Sequence, residues 1–285
     1  MPTFHVSYRA HSSQDDGTRP NRLSFMIVIV VTAASSNHAA PLRFLLDSLR
    51  RLDARVECYD LGLTGDEIRA LPRWSGLSVH RFNYAAYPPH LDIATNAGEY
   101  AWKPVIVADV VDRVRASGVP DDVLWSDAGS YFEALEPIAE RIRASRGLWV
   151  RRSSGTMRDW THPLMFEFLK ADAAAFLEQP NADATLIGFA TGHPAADVRE
   201  RVYRDVIVPW KACALAKDCI APRGSSRKNH RQDQAVLSYL VHHAGYDLAS
   251  DTRSGVAVRC KCDRWFYEYI GFHLPAPLYA RCCLY

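Results

Sequence analysis

Three stretches of this 285-residue chain carry side chains whose type and spacing suit chemistry on an anionic ligand. The first is Leu124-Trp-Ser-Asp-Ala-Gly129. An acid directly after a short apolar run lies at the carboxyl end of a buried strand, the edge where open α/β sheets receive ligands. Gly129 lets the backbone turn sharply there. Taken alone, Asp127 suits a helix cap better than a ligand contact. The second stretch runs from Arg223 to Leu237. Arg223, Arg227, Lys228 and Arg231 precede Asp233 with no acid between them, so their charges can converge on an anion such as a pyrophosphate. Gly224-Ser-Ser226 lies beside a helix N-terminus, whose backbone N–H groups also favour anions. A solvated basic face is the equal alternative. The third is Gly98-Glu-Tyr-Ala-Trp-Lys103-Pro104. Lys103 can meet phosphate oxygens, and Tyr100 or Trp102 can stack on a base or sugar. An exposed lysine with two core aromatics is at least as good a reading of this stretch in isolation.

The elements that must position these residues follow from hydrophobic periodicity. Met26 to Thr32 reads as a buried parallel strand, and a helix starts near Pro41 with Leu42, Leu45, Leu46, Leu49 and Leu52 on its inner face. Residues 55–61 and 77–82 read as strands around a short helix at 66–71, giving β-α-β-α-β, half of a doubly wound sheet. Residues 83–103 lack periodicity and form a candidate active-site loop. A helix from Pro104 to Gly118 and a strand at Val123–Trp125 follow. Further strands are expected at 148–152 and 185–189, with helices near 164–171 and 173–178 between them. A helical stretch at 197–216 must break or kink at Pro209, and a last helix spans 229–243. The fold class expected is α/β, one Rossmann-like domain with a mostly parallel sheet flanked by helices. Residues 1–25 read as a flexible extension and 26–285 as the folded domain.

Together the three stretches resemble the GT-A glycosyltransferase superfamily. The likeness rests on the order of Val31-Thr-Ala33, Tyr100-Ala-Trp-Lys-Pro104, Leu124-Trp-Ser-Asp-Ala-Gly129 and Gln232-Asp-Gln-Ala-Val-Leu237. It extends to a little-characterised glycosyltransferase-like group sharing Trp-Lys-Pro, Asp-Ala-Gly and His-Arg-Gln-Asp-Gln. The resemblance implies a nucleotide held around Thr32, Ala33 and Ser35, and donor contacts from Lys103, Asp127, Arg227 and Arg231. It makes Asp233 the acceptor-side catalytic acid. Trp102, Trp160, His162 and His230 would line the sugar or acceptor pocket. The family's Asp-x-Asp motif begins at Asp127, but its second acid is Gly129 here. A divalent metal (Mn or Mg) held by Asp127, or basic residues acting in its place, would balance the diphosphate. The implied partners are a UDP- or GDP-type nucleotide-sugar and a glycan, lipid or small-molecule acceptor, as in polysaccharide biosynthesis. A sugar-phosphate nucleotidyltransferase shares the topology, but Ala33-Ala-Ser-Ser-Asn37 lacks its Gly-rich basic loop. A non-catalytic nucleotide- or carbohydrate-binding protein of the same fold is the other alternative.

Composition narrows the classes further. Hydrophobic residues make up 48% and charged residues 23%, as in ordinary globular proteins. No apolar run nears the ~18–20 residues of a membrane span. Net charge is +2, which argues against a general nucleic-acid binder. Seven cysteines make a complete disulfide framework improbable and suit a reducing cytoplasm. Cys260-x-Cys262 and Cys282-Cys283 lack structural zinc spacing and read as small buried hydrophobes. Dinucleotide, Walker and Gly-x-Ser-x-Gly signatures are missing.

Overall fold

The computed structural model describes residues 28–250 and 258–260. The expected extension at 1–25 and the aromatic, cysteine-containing tail after residue 260 lie outside the described residues. β1 (Val28–Ala34) is buried along its whole length, as its run of β-branched residues requires. α1 (Ala39–Arg51), β2 (Arg55–Asp60), α2 (Gly65–Arg69) and β3 (Leu77–Arg81) complete the expected β-α-β-α-β half, with all three strands parallel. α3 (Trp102–Ser117) returns the chain to β4 (Asp122–Ser126), parallel to β1. The chain continues through β5 (Ser130–Phe132), α4 (Glu136–Ala144), β6 (Leu148–Thr156), α5 (Met157–Trp160), α6 (Pro163–Phe168) and β7 (Pro180–Phe189). It then forms α7 (Ala196–Val202), α8 (Val208–Leu215), α9 (Lys217–Ile220), α10 (Gln232–His243) and β8 (Val258–Cys260).

The six-stranded sheet has the order β3-β2-β1-β4-β7-β6. β7 runs antiparallel to both neighbours, so the sheet is mixed but mostly parallel. This is the α/β class the periodicity predicts. Its two faces are covered by separate cores. α1 lays Leu42, Leu45, Leu46 and Leu49 on one face together with Ile138 and Ile142 of α4. α3, α8 and α10 cover the other. The residues of α3 from Trp102 to Ala108 are all buried, so this helix lies inside the molecule with apolar contacts on most sides.

Several local expectations need correction. Residues 173–178 form only a short 3₁₀ turn at Ala173–Ala175, where the Asp172 carboxylate caps the Ala174 N–H. The stretch from 197 to 216 is divided by a π turn at Tyr203–Ile207, just ahead of Pro209; a loosened turn absorbs the missing proline N–H. β6 and β7 extend well beyond their apolar centres, because their polar residues still complete the antiparallel ladder. β5 and β8 pair as a separate two-stranded sheet that the periodicity does not announce. Cys213 and Cys219 are joined in a disulfide between α8 and α9, against the expectation of reduced cysteines throughout. Cys58 is a buried free thiol, and burial pushes its pKa up to about 12. Among the described residues, no helix is long and apolar enough to cross a membrane.

Candidate active site

Parallel strands point their carboxyl ends to one edge, and four elements meet there. β4 ends at Ser126, so Asp127 is the first residue beyond it. β7 arrives from the opposite direction and fixes Asp127 by accepting its N–H on Thr185 O at 2.9 Å. Because α3 must run back toward the start of β4, its first turn lies at the same edge and brings Lys103 inward. α10 also begins there, with Asp233 in its first turn, where the positive end of the helix dipole favours a carboxylate.

Lys103 joins these elements. Its Nζ lies 3.1 Å from Asp127 Oδ1 and 2.8 Å from Asp233 Oδ2, and it donates to Ala184 O at 3.1 Å. The contact to Asp233 Oδ2 is an ion pair outside hydrogen-bond geometry. The ammonium also stands 5.4 Å from the Trp125 ring centroid. Burial alone would lower the Lys103 pKa, but the Asp127 and Asp233 carboxylates outweigh it and hold the pKa above the usual lysine range. Lys103 is therefore charged. Burial likewise keeps Asp233 above the usual carboxylate range, against the pull of Lys103.

The two acids differ in access. The Asp233 side chain is 7% exposed and that of Asp127 40%. Asp127 Oδ1 receives both the ammonium and the Trp125 indole N–H, the latter at 2.8 Å. That leaves Oδ2 as the oxygen available to a ligand. Trp125 lies two positions before Asp127, a spacing that puts both side chains on one face of an extended chain.

Beside this edge, a cavity of about 630 Å³ opens after β1, lined by Ser35, Ser36, Asn37, Gly62, Ile93, Asn96, Ala97 and Arg227. One wall has an unusual backbone. Asn96, Ala97, Gly98, Glu99 and Tyr100 all have positive φ, between 45° and 63°. A left-handed turn costs roughly 1–2 kcal/mol per non-glycine residue, so the surroundings must hold it. Asn96 Nδ2 donates to Glu99 Oε2 at 2.8 Å, Gln232 Nε2 to the same oxygen at 3.2 Å, and Trp102 Nε1 to Ala97 O at 3.0 Å. At Gly98 an added Cβ would lie 2.4 Å from Leu91 O, so the residue is confined to glycine. The aperiodic loop of the sequence is thus a constrained wall tied to the first residue of α10.

The structure places the remaining expected residues in three groups. Ser35 reaches the cavity, whereas Thr32 and Ala33 are enclosed within β1 and cannot touch a ligand. Arg227 lines the cavity and lies over the Tyr100 ring at 5.2 Å. Arg231 stacks on Trp160 at 3.8 Å, and its N–H binds Trp160 O at 3.0 Å. Trp102 and His230 are corrections. Trp102 is buried against Trp125 with its indole N–H satisfied, which makes it a core residue. His230 is buried, donates from Nε2 to Ile220 O at 2.9 Å and accepts the His162 N–H on Nδ1 at 3.2 Å. Burial lowers its pKa to about 4, so it is a neutral clamp between two loops. His162 itself is half-buried and caps α6. Lys103, expected to face phosphates, is instead enclosed between the acids at 4% side-chain exposure. Gly62, Asn96 and Ala97 of the cavity carry no sequence signal beyond their loop setting.

The residues do not form a convincing metal centre. Among the described residues, no group of three or more His, Cys, Asp or Glu side chains is placed to hold an ion. Asp127 and Asp233, the acids brought together here, already surround an ammonium, and Gly129 supplies no carboxylate. A hard cation wants several oxygen ligands and no adjacent positive charge.

The family described as "Protein of unknown function (DUF1647)" matches residues 21–108. No curated protein matches the chain. Among solved structures, the chain is similar to the galactosyltransferase LgtC in complex with donor and acceptor sugar analogs. Identity is 15% and the TM-score 0.47, covering 89% of this chain and 99% of that one. The WbbM bifunctional glycosyltransferase aligns at 14% identity and TM-score 0.43, over 81% of this chain and 39% of that one. Mouse xyloside xylosyltransferase 1 aligns at 11% and 0.38, over 79% and 84%.

Proposed function

We propose that this protein is a glycosyltransferase that moves a sugar from a nucleotide-sugar, of UDP or GDP type, to an acceptor hydroxyl. One observation carries the reading. Three of the four segments of the GT-A resemblance, far apart in sequence, converge as Asp127, Lys103 and Asp233 at the ligand-receiving edge of the sheet, beside a cavity bearing Ser35, Asn37 and Arg227. The nucleotide belongs in that cavity, with Arg227 near its diphosphate. Arg231, across α10 on the Trp160 side, faces the sugar or the acceptor together with Trp160 and His162.

In the reaction, the acceptor oxygen forms a bond to the anomeric carbon while the bond from that carbon to the diphosphate oxygen breaks. The electron pair leaves with the diphosphate, whose growing charge needs preorganised cations. The acceptor proton passes to a carboxylate within hydrogen-bond reach. Burial moves that role from Asp233 to Asp127, whose Oδ2 is the accessible oxygen. Asp233 then positions Lys103, and Lys103 orients Asp127.

A panel of UDP- and GDP-sugars, read by melting temperature, tests the reading, because a ligand that binds only the folded state raises it. At least one donor should raise it and be consumed, with free nucleoside diphosphate appearing. Binding without turnover of any donor would favour the non-catalytic alternative, and release of pyrophosphate from a nucleoside triphosphate with a sugar phosphate would favour the nucleotidyltransferase.

A further inference from the structure

The acid pair that a metal would be expected to use is already occupied by a side chain. We propose that the Lys103 ammonium is a built-in countercharge that closes Asp127 and Asp233 to divalent metal, so that donor binds without one; this rests on the transferase reading.

The geometry around Lys103 is closed. Its Nζ has three near oxygens, on Asp127, Asp233 and Ala184, all within 3.1 Å. The Ala184 carbonyl takes one proton as a hydrogen bond, and the two carboxylates flank the ammonium as ion pairs. Asp127 Oδ1 is engaged twice, by Lys103 and by Trp125 Nε1. A divalent ion between the carboxylates would therefore displace a buried ammonium or lie within a few ångströms of it, where repulsion at low dielectric is severe. Among the described residues a third ligand is also wanting. Asp183, the other acid on this part of β7, is taken up by Arg151 at 2.7 Å and by the Thr185 hydroxyl at 2.6 Å. Gly129 stands where the Asp-x-Asp pattern has its second acid, so that position offers no carboxylate either. Two carboxylates and one ammonium leave a single negative charge at the edge. The diphosphate must then be met by guanidinium groups such as Arg227, and not through a bridging ion.

Titration of the full-length protein with Mn²⁺, followed by the electron paramagnetic resonance of the free ion, tests this directly. Wild type should leave the Mn²⁺ signal as it is in buffer, or reduce it equally in Asp127→Asn. Lys103→Gln should bind Mn²⁺ more tightly by roughly tenfold or more, and Asp127→Asn added to it should remove the gain. Mn²⁺ binding by wild type that Asp127→Asn abolishes would overturn the proposal. So would a folded Lys103→Gln protein that gains no affinity. Should that variant not fold, the wild-type comparison still decides, joined by a second readout: a donor-induced melting shift unchanged by EDTA supports the proposal, and one abolished by EDTA and restored by Mn²⁺ overturns it. If no nucleotide-sugar shifts the melting temperature, the transferase reading fails while the Mn²⁺ result keeps its meaning.

Discussion

β4 has a buried carboxylate at its start and an acid site just past its end, and the protein treats the two differently. Asp122 opens the strand, wholly buried. Its Oδ1 accepts the Gly192 N–H at 3.0 Å, while Oδ2 has no hydrogen-bond partner. Burial raises its pKa to about 6, only partly offset by the Gly192 N–H and by Arg143 and His193, with Asp121 adding to the rise. At the other end, Asp127 and Asp233 share the Lys103 ammonium. Burial raises both Asp122 and Asp233, but only at Asp233 does an ammonium oppose the rise. The second arrangement places a fixed positive charge beside the carboxylates at the end of the strand that faces ligands.

Removing the ammonium should have the largest effect. Lys103→Met leaves Asp233 buried and uncompensated, and loss of one partner from a buried ion pair costs about 3–5 kcal/mol. Urea denaturation should show that loss, and Lys103→Met combined with Asp233→Leu should recover much of it. Equal stability of the single variant and wild type would break the contrast between the two ends of β4.

Asp127→Asn separates chemistry from stability. Its side chain is substantially exposed, so the melting temperature should move little, while donor turnover falls by roughly 10²–10⁴-fold, the range for loss of a general base. Unchanged turnover would return the role of base to Asp233.

The start of β4 predicts a pH dependence. The folded-state pKa of Asp122 lies above the ordinary carboxylate value of 3.8, so the folded protein holds this proton more strongly than the unfolded chain does. The resulting stability is complete below about pH 4 and is lost as pH rises through about 6, amounting to about 2–3 kcal/mol. Asp122→Asn should flatten the difference in unfolding free energy between those two pH values. An unaltered profile would show that Asp122 binds its proton equally in the folded and unfolded chain.

Gly98→Ala should cost at least about 1–2 kcal/mol for one left-handed residue, and more because the new Cβ must push the Leu91 carbonyl aside. It should also weaken nucleotide binding in the adjoining cavity. Calorimetric titration with UDP and GDP would register this; wild-type affinity would mean that the left-handed wall does not shape the cavity.

Much of the scaffold is legible in the sequence, because β1, α1 and α3 announce themselves through periodic apolar residues. The convergence of Lys103, Asp127 and Asp233 follows from topology once a helix-before-strand order is assigned. What the residues do there is less legible. Nothing in Trp102-Lys-Pro104 says that Lys103 turns inward, since that depends on Ala184 arriving from an antiparallel strand 81 residues away. His230 reads as part of the last helix, one turn before Asp233, and only the Ile220 carbonyl and His162 N–H make it a buried clamp. The left-handed turn has two sequence signals, Asn96 and Gly98, because alanine, glutamate and tyrosine do not ordinarily adopt that conformation.

A crystal structure with a turnover-resistant nucleotide-sugar analogue, for whichever base raises the melting temperature, tests the central claim most directly. The diphosphate should lie in the cavity between Ser35 and Arg227, with the anomeric carbon close to Asp127 Oδ2 and Lys103 still seated between the two acids. A nucleotide bound elsewhere, or a sugar turned away from Asp127, would contradict the account.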